Sequence, residues 1–188
     1  MNGKYSISET DGIYFLSFAT VGWIDVFTRQ RYRTIVVDSL NFCVAKKGLV
    51  IYSWVIMSNH IHLVCRASNA NLSSIIRDFK SFTAKMILKS IKEEPESRRE
   101  WMLKVFSLAG SNNSRNKDYQ FWRQDNHAIE VYTNFVIDQK IEYIHQNPVL
   151  EGFVAKAEEY LCSSAVDYAG LKGLVQLEIL EKSVYEHC

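Results

Sequence analysis

His60 and His62 stand two residues apart in Trp54-Val55-Ile56-Met57-Ser58-Asn59-His60-Ile61-His62-Leu63-Val64-Cys65, with apolar, β-favouring residues on both sides. On a strand such a pair points to one face with its Cα atoms roughly 6.5–7 Å apart, so both imidazoles can reach one divalent ion at about 2.1 Å. The chemistry in view is metal-assisted. Taken alone the spacing also fits two hydrogen-bonded structural histidines.

A second group lies near the end of an apolar-patterned segment that stops at Pro148. Tyr143 and Asn147 are i and i+4, about 6 Å apart along a helix axis, and share a face. An amide oxygen from Asn147 could complete a site with His60 and His62 and would set the Tyr143 hydroxyl beside the ion. Gln146 takes that place if the helix is rotated. Lys140, one turn before Tyr143, could lend positive charge, which a phenol needs to be a useful nucleophile near neutral pH. The structural reading of these residues is a buried aromatic, a helix C-cap before proline and an exposed lysine. Zinc held by His60, His62 and Cys65 is a further arrangement, but Cys65 lies three residues past His62 and so faces away along a regular strand.

The elements that must position these groups follow from pattern. Ile13 to Ala19 is aromatic-rich between glycines and reads as a strand; Thr28 to Lys47 has helical spacing and ends at Gly48. Leu49 to Met57 and His60 to Arg66 form a hairpin about Ser58-Asn59. Asn71 can cap a long helix reaching about Ile91, whose polar face carries Arg77, Lys80, Lys85, Lys89 and Lys92. Trp101 to Leu108 reads as a strand, residues 110–117 as a polar, mobile loop, and Tyr119 to Arg123 as a short strand or aromatic anchor. Glu130 to Asn147 reads as a helix that Pro148 ends, and Leu171 to Leu180 as an amphipathic piece. The order β-α-β-β-α-β is that of a split βαβ, ferredoxin-like α+β fold with an antiparallel sheet, helices on one face and an additional helix. There the first and third strands are central, and the histidines sit mid-sheet.

At 188 residues and 47% hydrophobic content, a single domain spanning 1–188 is expected, with 151–188 as an acidic C-terminal extension. The net charge of +1 excludes a strongly basic nucleic-acid binder, yet it divides unevenly: residues 1–150 carry 19 basic and 14 acidic groups, and residues 151–188 carry three lysines against seven acids. A moderately basic body is compatible with a polyanion partner. Four scattered cysteines with no CxxC pair argue against a disulfide framework and for reduced thiols in a cytoplasm. The apolar run Ile13 to Ile24 is too short to span a bilayer and lacks the marks of an export signal.

Met57-Ser58-Asn59-His60-Ile61-His62-Leu63-Val64 resembles the His-hydrophobic-His signature of single-tyrosine HUH transposases. Tyr143 to Val154 (Tyr-Ile-His-Gln-Asn-Pro-Val-Leu-Glu-Gly-Phe-Val) resembles the catalytic-tyrosine helix and Asn-Pro-Val segment of their REP-associated branch, which Phe121-Trp122-Arg123-Gln124-Asp125 and Ser163-Ser164-Ala165 also fit. The resemblance spans roughly residues 10–170. It implies a metal-dependent nuclease and strand transferase acting on single-stranded DNA beside a hairpin. Tyr143 would be the nucleophile forming a 5′-phosphotyrosine, and His60, His62 and Asn147 would hold Mg²⁺ or Mn²⁺. Asn147 stands where many relatives have glutamine, one methylene longer. Relatives are often homodimers, and in some the tyrosine of one subunit serves the histidines of the other.

For DNA contact the residues chosen are Arg77, Lys80, Trp122 and Arg123, cations beside surfaces on which unpaired bases could stack. His127, His145 and His187 are read as non-ligands, with His145 close enough to the site helix to meet phosphate. The rival reading from another class is a non-catalytic or domesticated single-stranded DNA hairpin-binding protein on the same fold.

Overall fold

A computed structural model describes residues 7, 12–69, 71–112, 118–124 and 127–181. Residues 113–117, Asp125 and His187 lie outside these. Strands β1 (Ile13–Ala19), β2 (Leu49–Ile56), β3 (His60–Ala67) and β4 (His127–Val131) form one sheet in the order β2-β3-β1-β4, with every neighbour antiparallel. This is the ferredoxin-like arrangement expected, with β1 and β3 central.

Period-two alternation makes the sheet two-sided. Tyr14, Leu16, Phe18, Trp54, Ile56, Ile61 and Leu63 enter one core, shared with helices α1 (Gln30–Lys47) and α2 (Leu72–Glu93). Phe15, Val55 and Val64 face the other way, onto Ile137, Ile141 and Ile144 of helix α4 (Asn134–Leu150). A β-bulge between Ile51 and Ser53 turns Tyr52 and Ser53 to that same side. Gly48 ends α1 in the left-handed conformation at φ 75°, as its position suggested.

Several boundaries differ from the sequence reading. Trp101 to Leu108 belongs to helix α3 (Arg99–Ser111), not to a strand: Met102, Phe106 and Gly110 recur every four residues and are buried, while Trp101 and Leu108 are exposed. The fourth strand is instead His127–Val131, whose last two residues had been placed in the following helix; Thr133 caps that helix by accepting from the Val136 amide at 3.3 Å. Tyr119 to Arg123 makes a single bridge, Trp122 to Thr20, rather than a strand ladder. Helix α1 starts at Gln30 because Thr28 belongs to a separate 3₁₀ turn, and Asn71 makes no side-chain cap for α2.

Pro148 does not end α4. It removes one donor, but the amides of Glu151, Gly152 and Phe153 close the last turn onto Asn147, Val149 and Pro148, and Gly152 then leaves at φ 73°. Leu171 to Leu180 is not helical. Its backbone is held from outside, Gln176 by Asn41 and Glu178 by the Ile51 carbonyl. The C-terminal residues thereby cover the β2 edge, since Ile56 donates to Cys162 and Ser164 to Trp54 across it. Helix α5 (Ala165–Tyr168) follows. Among the described residues no helix is long and apolar enough to cross a membrane.

Candidate active site

The His pair opens β3 on the face that α4 covers. Register sets Ala19 opposite His60, and Ser17 and Val55 on either side of His62. Their rings lie 4.7 Å apart between centroids. His62 is 5% exposed, stacks on Phe15 at 5.3 Å, and has hydrogen-bond partners at neither ring nitrogen. Such an orphan costs about 1–3 kcal/mol in a folded protein unless something else satisfies it. Burial, followed by the charges of His60 and Lys140, pushes its pKa down to about 3. At neutral pH the ring is therefore uncharged with a lone pair to give.

His60 is held from both ends. Its Nδ1 lies 2.7 Å from Asn59 Oδ1, an acceptor, which fixes the proton there and leaves Nε2 basic. Burial lowers its pKa, against the opposing charge of Glu151 and a hydrogen bond with the Asn147 side chain.

Helix α4 delivers the second group. Ile141 and Ile144 seat it on the sheet, which turns Tyr143 and Asn147 toward the histidines. The Tyr143 ring is 5.4 Å from His62 and 5.9 Å from Phe15, edge-on to both, and 45% exposed; Asn147 is buried. The tyrosine thus rests against His62 of its own chain. Lys140 sets its ammonium over the Phe15 ring at 4.8 Å, on the same side. Gln146 points away and donates to Glu142 at 3.1 Å.

A buried polar knot fixes this helix. His145 Nε2 lies 2.9 Å from Ser164 Oγ and 3.3 Å from Ser53 Oγ, and Ser164 Oγ also accepts from the Trp54 amide at 3.0 Å. His145 is therefore a structural histidine 7% exposed, joining α4, β2 and the C-terminal segment. Sequence reading missed Ser53 and Ser164 as partners, because nothing in either stretch marks a contact across 92 or 111 residues.

The residues chosen for DNA contact separate. Trp122 is 5% exposed, packs on Phe18, Phe27 and Phe121, and donates its indole N–H to Thr83 at 3.1 Å, so it belongs to the core and not to a surface open to a base. Lys80 and Arg123 come together: Lys80 donates to the Arg123 carbonyl at 3.1 Å. Arg77 lies apart, largely exposed, bonded to Ser74 and 3.5 Å from Asp78. The exposed indole beside the histidines is Trp23, unremarked in the sequence, with the Arg123 guanidinium 5.2 Å over its ring and His60 at 6.0 Å.

Among the described residues no three His, Cys, Asp or Glu side chains form a metal cluster, which leaves Cys65 out: it is fully buried on the opposite core face. A site of two neutral imidazoles and an amide oxygen does fit a divalent ion. The donor types match, and the lone-pair nitrogen of His62, one of its two unpartnered ring nitrogens, would be satisfied by such an ion.

Comparison with curated proteins gives no match. Among solved structures, the chain is similar to a REP-associated tyrosine transposase bound to a REP hairpin, at 16% identity and TM-score 0.59, over 100% of this chain and 99% of that one. It is also similar to a protein from Deinococcus radiodurans R1 proposed to be a transposase, at 18% identity and TM-score 0.44, over 71% and 90%. The first likeness shows the shared fold. The model of the family described as "Transposase IS200 like" matches residues 23–147, a span running from Trp23 through both histidines to Asn147, and the chain belongs to that family.

Proposed function

We propose that this protein is a REP-associated type of tyrosine transposase: a metal-dependent endonuclease and strand transferase that cuts single-stranded DNA beside a hairpin through Tyr143. The observation that carries the reading is the Tyr143 ring packed edge-on against the buried, unpartnered imidazole of His62. A purely structural tyrosine–histidine contact would bury the hydroxyl-bearing ring or pair the imidazole; here the tyrosine is 45% exposed and the imidazole has no partner. The solved relative of the same fold is bound to a REP hairpin, which makes hairpin-flanked DNA the substrate class to test.

His60, His62 and Asn147 would hold Mg²⁺ or Mn²⁺, with the Glu151 carboxylate adding negative charge nearby. Such an ion, when bound, polarises and orients the scissile phosphate. The remaining work falls to the chain itself. Tyr143 Oη attacks phosphorus, the P–O3′ bond breaks, and the phenolic proton is lost to solvent while the departing 3′ oxygen leaves as a hydroxyl. The 5′-phosphotyrosine keeps the energy of the cleaved ester, so a 3′-hydroxyl of another strand can reverse the step without a nucleotide cofactor. Lys140 brings positive charge to the face where the phenol must lose its proton.

Incubation of the protein with labelled single-stranded hairpins taken from the flanks of its own gene, in Mn²⁺ or EDTA, tests this on a denaturing gel. Label migrating at protein mass, dependent on metal and lost in Tyr143→Phe, is expected. Hairpin binding with no such band on any substrate would leave a non-catalytic DNA-binding protein.

A further inference from the structure

Trp23 is placed at a cost that its packing does not recover. It is the one non-glycine among the described residues with positive φ, at 53°, directly after Gly22 at 67°. A bulky residue there is strained by about 1–3 kcal/mol. Burial could offset that, yet 52% of the residue is exposed.

The surroundings enforce this conformation. The Trp23 amide donates to the Thr20 carbonyl at 3.1 Å, and Asn59 Nδ2 donates to the Trp23 carbonyl at 3.3 Å. The Thr20 hydroxyl lies 2.9 Å from the Ile24 carbonyl and 3.1 Å from that of Asn59. Asn59 thus grips Trp23 with its amide nitrogen and His60 with its amide oxygen. One side chain couples the exposed indole to the first histidine.

We propose that Trp23 and Arg123 form a stacking subsite for an unpaired nucleobase next to the phosphate that Tyr143 attacks, an inference that rests on the single-strand nuclease reading above. The guanidinium over the indole leaves a flat, cationic platform 6.0 Å from the His60 ring, and Lys80 adds a second cation at the Arg123 carbonyl. Indole and guanidinium planes are the surfaces on which single-stranded bases stack, with little regard to base identity. A paired base has both faces covered by its neighbours, so the platform selects single strand over duplex. It also gives the strained backbone a use: the strain holds the indole out where a base can reach it.

Fluorescence anisotropy of the full chain in EDTA, with a labelled 15-mer of thymidine and a 15-mer of abasic spacers carrying the same phosphates, reads this directly. The wild type is expected to bind the thymidine strand more tightly. Trp23→Ala should lose roughly tenfold on the thymidine strand and nothing on the abasic one, Trp23→Phe should retain most of the affinity, and Phe42→Ala, another exposed aromatic, should change neither. Equal loss on both strands, or none on thymidine, overturns the subsite alone. A wild type that prefers neither strand, or binds neither, overturns the subsite as well, while the nuclease reading is overturned separately, by the absence of a covalent band on hairpin substrates.

Discussion

His62 shows what a residue proposed to hold a metal costs a fold. Its imidazole is buried without a partner, neutral, and walled by Phe15 and Tyr143. Replacement by leucine removes the orphaned nitrogens at similar volume. In EDTA His62→Leu should therefore be as stable as the wild type or more so, by about 1 kcal/mol, while the rise in melting temperature that Mn²⁺ gives the wild type disappears. A marked loss of stability in EDTA would mean that the ring has a structural role. The His pair, Tyr143 and Asn147 were legible in the sequence because their relation within each element is local: two residues on a strand, four on a helix. Trp23 was not. Its exposure, and the burial of Trp122 in its stead, is decided by tertiary packing that no short window contains.

Helix α4 is the element on which the site depends, and its seat is part apolar and part polar. Ser164 serves the Trp54 amide, His145 and Ser53 at once. Ser164→Ala leaves the buried Trp54 N–H without its acceptor and removes the shorter of the two serine contacts to the His145 imidazole, and should cost about 2–3 kcal/mol in urea unfolding. Ser53→Ala should cost less, near 1 kcal/mol, because Ser164 still satisfies the other two. Equal costs would argue that the knot is not centred on Ser164. The long elements were legible, α1, α2 and β1 to β3, each carrying a strong period. Helix α3 was misread because Trp101, Val105 and Phe106 favour strands, and β4 was hidden because five residues before a helix give too short a pattern. The end of α4 was misplaced since Pro148 was weighed by its missing donor alone, whereas the residues beyond it close the turn.

The whole molecule is joined at a second point far from the sheet edge. The Glu96 side chain, with no exposed surface, receives Arg98 Nε at 3.1 Å and the Tyr32 hydroxyl at 3.1 Å, with Arg29 and Arg31 at 3.6 Å. Arg98 also donates to the Asp25 carbonyl at 2.9 Å, so this clasp ties α1 and the turn before α3 to the loop that presents Trp23. Burial alone would raise the Glu96 carboxyl, but the Arg98 bonds and charge and the Tyr32 hydroxyl outweigh it and bring it from an ordinary 4.5 down to about 2. A carboxylate depressed by folding stabilises fully above its unfolded pKa, and that contribution fades as pH falls from about 4.5 toward 2. Glu96→Gln should cost about 3 kcal/mol at pH 7, and its unfolding midpoint should depend less on pH than the wild type's over that window. Parallel pH profiles would assign the acid sensitivity to other groups. None of this was legible: Glu96 sits in the charged stretch 93–100, and apart from Arg98 its partners come from residues 29–32, some 64 positions away in the chain.

Mass spectrometry of the trapped DNA complex tests the central claim most directly. After nuclease and trypsin treatment, the peptide Ile141–Lys156, in which Tyr143 is the sole tyrosine, should carry a nucleotide 5′-phosphate on that residue in Mn²⁺ and none in EDTA. A nucleotide on any other residue, or strand cleavage with no protein-linked product, would contradict the account of Tyr143 as the nucleophile.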